Sequence, residues 1–249
     1  MLKVEHLTKV YDDGTVGIED VSFEVDATQF LAVIGLSGSG KSTLLRCINR
    51  LIEPTDGRIL WNGEDITAAG QEDLRRIRRR IGMVFQHFNL VSRSKVATNV
   101  LAGRLGYTNP ALSLLNQFGE DDLERARKSL ERVGLEEKTN NLASDLSGGQ
   151  QQRVGIARAL VQNPEMLLAD EPVASLDPVL AHSIMQHLES INEDGVTVLC
   201  SLHFLDLVQQ YSDRAIALYD GKLVFDGSPA EIDDARFKEI YGKEAERIG

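Results

Sequence analysis

The sequence predicts an α/β protein: a parallel core sheet, an antiparallel β-rich subdomain at the N-terminus, and a helical subdomain inserted into the chain. Three observations carry this. Apolar segments at Phe30–Ile34, 81–85, Met166–Ala169 and Thr197–Leu202 are separated by helical stretches, the alternation that lays helices on both faces of a parallel sheet. Val21, Phe23 and Val25 alternate with polar residues, as in a strand with one buried face, whereas Phe30–Ile34 is apolar throughout, as in a strand covered on both. Residues 96–134 lack strand signals and carry a helical pattern at 121–133. The expected layout is a single unit over 1–249. Its core comes from about 1–90 and 160–228, the helical subdomain from about 91–159, and a helical tail from 229–249.

The chain has 249 residues, 42% of them hydrophobic, enough to bury a substantial core. A net charge of -11 argues against a general nucleic-acid binder, because phosphate backbones select clustered Lys and Arg. It suits a soluble cytosolic protein. Only Cys47 and Cys200 are present, one in a helix and one in an apolar strand, so both are expected to be reduced, buried fillers. The longest apolar run near the front falls far short of the ~20 residues a membrane span needs, and no signal-peptide pattern is visible.

Along the chain, the strand Phe30–Ile34 runs into Gly35, Leu36, Ser37, Gly38, Ser39, Gly40, Lys41, Ser42 and Thr43, followed by an amphipathic helix expected over 41–51. Asn62-Gly63 and Asp220-Gly221 are the dipeptides of tight hairpins and mark antiparallel edges. Arg75, Arg76, Arg78, Arg79 and Arg80 form a basic run read as a solvated helix face.

Three strings carry chemistry. In the first, the glycines let the backbone turn around phosphate with its N–H groups inward at a helix N-terminus, Lys41 reaches the β- and γ-phosphates, and the Ser42 hydroxyl binds Mg²⁺. In the second, the strand Met166–Ala169 ends in Asp170 and Glu171, at the sheet edge where ligands of open α/β folds bind. Asp170 there supports Mg²⁺ through its water shell and Glu171 polarises an attacking water. The third, Leu146, Ser147, Gly148, Gly149 and Gln150, opens a helix running to Leu160 with Ser147 as N-cap, a second anion site on the same chain.

With these strings in place, the chain resembles the ATP-binding cassette family, the ATPase subunits of ABC transporters, over essentially its whole length. The resemblance implies a P-loop NTPase core with a RecA-like parallel sheet. It makes Gly35 to Thr43 the Walker A motif, Met166 to Asp170 the Walker B motif, Glu171 the catalytic glutamate and Leu146 to Gln150 the signature motif. It further implies that Gln86 senses Mg²⁺ and contacts the permease, that His203 is the switch histidine at the γ-phosphate, and that Tyr11 stacks on adenine. The implied cofactors are ATP and Mg²⁺. The implied partners are a second ATPase subunit in a head-to-tail homodimer, transmembrane permease subunits and, indirectly, a periplasmic or extracellular substrate-binding protein, with no nucleic acid. The implied location is the cytoplasmic face of the membrane, peripheral.

The loop Ala174, Ser175, Leu176, Asp177 resembles the family's D-loop but departs from its commonest form, since Val173 and Ala174 replace hydroxyl residues and Ser175 keeps one. That variant, the segments at 85–91 and 99–106, Ser201 to His203 and the insertion after Tyr107 resemble the phosphonate-importer branch, although Phe204 and Leu205 depart from the Gln-Val usual there. Polar amino acid importers are the nearest other branch. A soluble ABC-type remodelling ATPase is disfavoured by the lack of a coiled-coil insertion, second cassette or basic surface. A P-loop kinase is disfavoured because it has no use for the Leu146 to Gln150 string.

Overall fold

A computed structural model describes residues 1–108 and 118–242. Among the described residues ten strands form two sheets. The first is antiparallel, with β1 (Leu2–Val10), β2 (Val16–Val25), β4 (Asp56–Trp61) and β5 (Glu64–Asp65) in the order β2-β1-β4-β5. The second holds β3 (Phe30–Ile34), β6 (Ile81–Val84), β7 (Met166–Ala169), β8 (Thr197–Leu202), β9 (Arg214–Tyr219) and β10 (Lys222–Gly227) in the order β10-β9-β3-β8-β7-β6. All of its neighbours run parallel except the hairpin β9–β10. Asn62 and Asp220, each with positive φ, make the two expected hairpin turns.

Register is what builds the site. Ile34 pairs with Leu202, Ala169 with Cys200 and Val84 with Ala169, so the carboxyl ends of four strands lie side by side. The residues that follow them, Gly35, Gln86, Asp170 and His203, therefore emerge along one sheet edge.

Eight helices surround the sheets among the described residues: α1 (Lys41–Ile48), α2 (Gln71–Arg79), α3 (Val96–Leu101), α4 (Glu120–Arg132), α5 (Gly148–Leu160), α6 (Pro178–Glu193), α7 (Leu205–Tyr211) and α8 (Asp234–Tyr241). Side chains of β3 alternate between two cores. Leu31 and Val33 join Val21, Phe23, Leu44, Ile48, Ile59 and Trp61, whereas Phe30, Ala32 and Ile34 join Val96, Val100, Leu130, Val154, Ile156, Ile184 and Leu188. The second core is continuous from the sheet into α3, α4 and α5, so the helical segment shares the sheet's hydrophobic interior; each such Leu or Ile contributes about 1.5–3 kcal/mol on burial. Cys47 and Cys200 are buried and unbridged. Burial pushes the Cys47 thiol up to about 12 and raises that of Cys200 too.

Three local expectations are corrected. The helix expected over 41–51 ends at Ile48, because Arg50 turns left-handed (φ 52) and sends its guanidinium to Ile66 O and Ala69 O. The strand expected over 81–85 stops at Val84. The basic run is not simply a solvated face. Arg78 donates to Asn49 O (2.9 Å) and Arg50 O (2.6 Å), closing the end of α1, while Arg80 pairs with Glu64 and Glu165 and lies 4.5 Å over the Trp61 ring. Part of the insertion after Tyr107, residues 109–117, and the end of the tail, residues 243–249, lie outside the described residues. Among the described residues no helix is long and apolar enough to cross a membrane.

Candidate active site

The loop between β3 and α1 is shaped by glycines at two close approaches. A Cβ on Gly35 (φ 141) would stand 2.2 Å from Leu218 O, and one on Gly40 (φ 105) 2.3 Å from Gly17 O, so no larger residue fits either position. Leu36, Ser37 and Gly38 form the exposed crest of the loop. Lys41 turns back beneath it, 3% exposed, its Nζ donating to Gly35 O (3.0 Å) and Leu36 O (2.9 Å) and lying 3.6 Å from Glu171 Oε1. Burial lowers its pKa from the ordinary 10.5, and Glu171 and Asp170 partly restore it. The Ser39 hydroxyl is buried without a hydrogen-bond partner. A cradle that admits no Cβ, a buried ammonium beneath its crest and an unpaired buried hydroxyl together fit a polyphosphate.

At the end of β7, Asp170 is fully buried. Its Oδ1 accepts from Ser42 Oγ (2.6 Å) and Ser201 Oγ (3.4 Å), and its Oδ2 from Arg46 Nη2 (2.9 Å). Ser42, Asp170 and the amide oxygen of Gln86 are the hard oxygen donors that suit Mg²⁺, and with both its oxygens bonded to protein groups Asp170 suits a water-mediated contact. Arg46 and Ser201 were not singled out from the sequence. The signal for Arg46 was present, since it stands four residues after Ser42 and so on the same helical face.

Glu171 takes a left-handed backbone (φ 47), a conformation that costs an L-residue roughly 1–2 kcal/mol and persists only where its surroundings hold it. Here its own N–H donates to Ser201 Oγ (2.7 Å). Its carboxylate is held at both oxygens: Gln86 Nε2 donates to Oε2 (2.8 Å), and His203 Nε2 lies 2.6 Å from Oε1 and donates to it when it carries the ring proton. The structure thus brings Lys41, Gln86, Glu171 and His203 into one cluster, from four separate strand ends. A carboxylate held this way and only 13% exposed is placed to orient a water and accept its proton.

Tyr11 stands beside the far end of the loop, its hydroxyl 2.9 Å from Thr43 Oγ1 and Lys9 Nζ 5.4 Å from its ring centre. Ser147 caps α5 as expected, and Gln150 completes a capping box: Gln150 N donates to Ser147 Oγ (3.4 Å) and Ser147 N to Gln150 Oε1 (3.0 Å). Gly149 packs on Leu180 of α6, whose N-terminus Asp177 caps by accepting from Leu180 N (3.0 Å). Among the described residues no hydrogen bond or ion pair joins Ser147, Gly148, Gly149 or Gln150 to the phosphate loop of the same chain. The two anion sites expected from the sequence share no polar contact within the chain among the described residues.

Known proteins resemble this chain in sequence and fold. The family model described as ABC transporter matches residues 18–174. A protein named Phosphonates import ATP-binding protein PhnC 2, from Halalkalibacterium halodurans, is 50% identical over 97% of this chain and 99% of its own length. A Bacillus anthracis protein named Phosphonates import ATP-binding protein PhnC is 51% identical over 97% of this chain and 95% of its own. Among solved structures, a dimeric bacterial ABC transporter cassette, MJ0796, is 35% identical with a TM-score of 0.82, covering 92% of this chain and 99% of that one. The ADP conformation of the cassette MJ1267 is 31% identical with a TM-score of 0.83, covering 96% of each chain. These similarities span the phosphate loop, the strand-end carboxylates and the capped α5, and the chain belongs to the ABC transporter family.

Proposed function

We propose that this chain is the ATP-hydrolysing, energy-coupling subunit of a bacterial importer whose cargo is a phosphonate or a closely related phosphorus oxyanion, and that two copies work head to tail on the cytoplasmic face of the membrane. One observation carries the reading. Glu171 is held between Gln86, His203 and Lys41, while among the described residues the capped N-terminus of α5 makes no hydrogen bond or ion pair with the phosphate loop of its own chain. Such a half-site lacks an anion-binding helix end that a second copy supplies. The relatives named for phosphonate import support the cargo class.

In this reading Lys41 and the loop amides hold the β- and γ-phosphates, with Tyr11 against the base, and Ser42, Asp170 and Gln86 hold Mg²⁺. The metal, when bound, draws off charge at the phosphates. Glu171 orients the attacking water and takes its proton, and His203 keeps the Glu171 carboxylate aimed. The N–H groups following Ser147 of the second copy close over the γ-phosphate from the other side, so hydrolysis removes the group that bridges the two subunits.

Gln86 lies on a loop leading to an apolar hollow of about 170 Å³ lined by Val91, Thr98, Ala102, Leu105 and Phe118, among others; a cytoplasmic helix of the permease is its occupant in this reading. The permease and an external binding protein choose the cargo, which never meets this subunit.

Two measurements test the reading. Mixing Ser147→Arg with Lys41→Ala subunits is expected to restore hydrolysis that neither variant has alone, since one intact composite site forms per mixed dimer; a mixture no more active than its parts would break the head-to-tail arrangement. In the reconstituted transporter with its binding protein, a phosphonate is expected to stimulate hydrolysis, and stimulation by a polar amino acid instead would move the chain to the neighbouring branch.

A further inference from the structure

The loop carrying Gln86 passes beside α5 at its glycines, and Arg158 fastens it there. The Phe88 ring meets the tip of the helix, its Cζ 3.9 Å from where a Cβ on Gly148 would stand. Two turns along, Phe88 O passes 4.0 Å from the same point on Gly155. One turn further, the Arg158 guanidinium closes the contact, Nη2 donating to Phe88 O (2.7 Å) and Nη1 to Asn89 O (2.5 Å), with its Cζ 5.8 Å from the centre of the Phe85 ring.

Phe88 and Asn89 are both left-handed (φ 58 and 49), and two successive non-glycine residues keep that backbone only when something outside the turn holds it. Arg158 is that restraint, and a planar fork reaches both carbonyls at once where an ammonium reaches them singly. Its own backbone is anchored: a Cβ on Gly103, just beyond α3, would stand 2.2 Å from Arg158 O.

We propose that Arg158 is a positioning residue that couples the two halves of the site, locking the Gln86 loop to α5 so that Gln86 and the Ser147 end of the helix move as one piece. The contacts form an unbroken path from the Glu171 carboxylate through Gln86, the Phe88–Asn89 turn, Arg158 and α5 to Ser147. A change at the hydrolytic carboxylate of one site is thereby transmitted to the helix tip that completes the other. The proposal rests on the head-to-tail reading above.

The test uses the full chain with Glu171→Gln as the parent, to which Arg158→Met or Arg158→Lys is added. Three quantities are read: binding of a fluorescent ATP analogue to the dilute monomer, ATP-driven dimerisation by sedimentation velocity, and amide hydrogen exchange across 85–91. Among the described residues Arg158 makes no hydrogen bond or ion pair with the phosphate loop, so monomer binding in Arg158→Met is expected to stay within about twofold of the parent, as for distant sites.

The ATP concentration at half-dimerisation is expected to rise roughly tenfold, within the usual range of coupling between sites. Exchange at Phe88 and Asn89 is expected to quicken, with Arg158→Lys intermediate on both counts; should Arg158→Met fail to fold, the lysine variant carries the comparison. An unchanged dimerisation midpoint would overturn the proposal. So would monomer binding that falls in step with dimerisation, since that marks general destabilisation and not coupling. A parent that fails to dimerise with ATP would instead overturn the head-to-tail reading, and this proposal with it.

Discussion

The strand-end cluster and the tip of α5 are both anion sites by construction, yet they are built to different degrees. Around Asp170 and Glu171 every carboxylate oxygen already has a partner: Ser42, Ser201 and Arg46 on the first, Gln86 and His203 on the second. At the tip of α5, Ser147 and Gln150 bond mainly to each other, and among the described residues they make no hydrogen bond or ion pair with the phosphate loop. The lesson concerns division of labour. In the proposed reading the carboxylate cluster takes the proton, and protein groups already fix its oxygens, because transition-state stabilisation requires fixed dipoles. In the same reading the α5 tip is completed by a second copy, so its value lies in binding only when the two subunits meet.

That contrast can be broken by substitution. The largest effect is expected from Glu171→Gln, which removes the proton acceptor while keeping shape and the Gln86 contact: hydrolysis should fall by about 10²–10⁴-fold, the usual worth of a general base, with ATP binding retained. Steady-state phosphate release alongside ATP titration checks it, and turnover surviving at near parental rate would remove Glu171 from its role.

Next comes Asp170→Ala, which strands Arg46 and two hydroxyls beside a vacated buried site. Breaking a buried ion pair costs ~3–5 kcal/mol, and since the Arg46 side chain is 39% exposed and can be rehydrated, a loss near the lower end is expected in urea denaturation. A loss below about 1 kcal/mol, the worth of an exposed ion pair, would mean the cluster is less preorganised than its bonds imply.

The smallest effect on the fold is expected from Ser147→Ala, about 1 kcal/mol for a lost N-cap. Its effect on ATP-driven dimerisation should nonetheless exceed that of any surface substitution distant from α5. A variant that dimerises like the parent would show the tip to be ordinary capping.

Legibility followed the range of the forces involved. The phosphate loop could be read because Gly35, Gly40, Lys41 and Ser42 act within one turn of chain, where spacing dictates geometry. The Ser147 cap was readable for the same reason, down to the residue at which α5 begins. The end of α1 was not, because its left-handed stop at Arg50 is imposed by Arg78 from another helix and by the carbonyls of Ile66 and Ala69. The basic run misled similarly: charge density along a helix says nothing of the Glu64, Glu165 and Trp61 that meet Arg80. Arg158 gave no signal at all, since a guanidinium bonded to two carbonyls leaves no carboxylate partner to seek in the sequence.

By itself the sequence determined which residue types would stand at each strand end: glycines and lysine after β3, two carboxylates after β7, a histidine after β8. It did so because an apolar run of strand length has only one place in an α/β sheet and delivers whatever follows it to the carboxyl edge. Only the tertiary structure decided that these ends share a register, that Glu171 is held by Gln86 and His203 at once, and that the Ser147 tip shares no hydrogen bond with its own phosphate loop among the described residues. Those are relations between segments up to 168 residues apart, as for Ile34 and Leu202. They are set by how β-strands pair and helices pack, which no local pattern specifies.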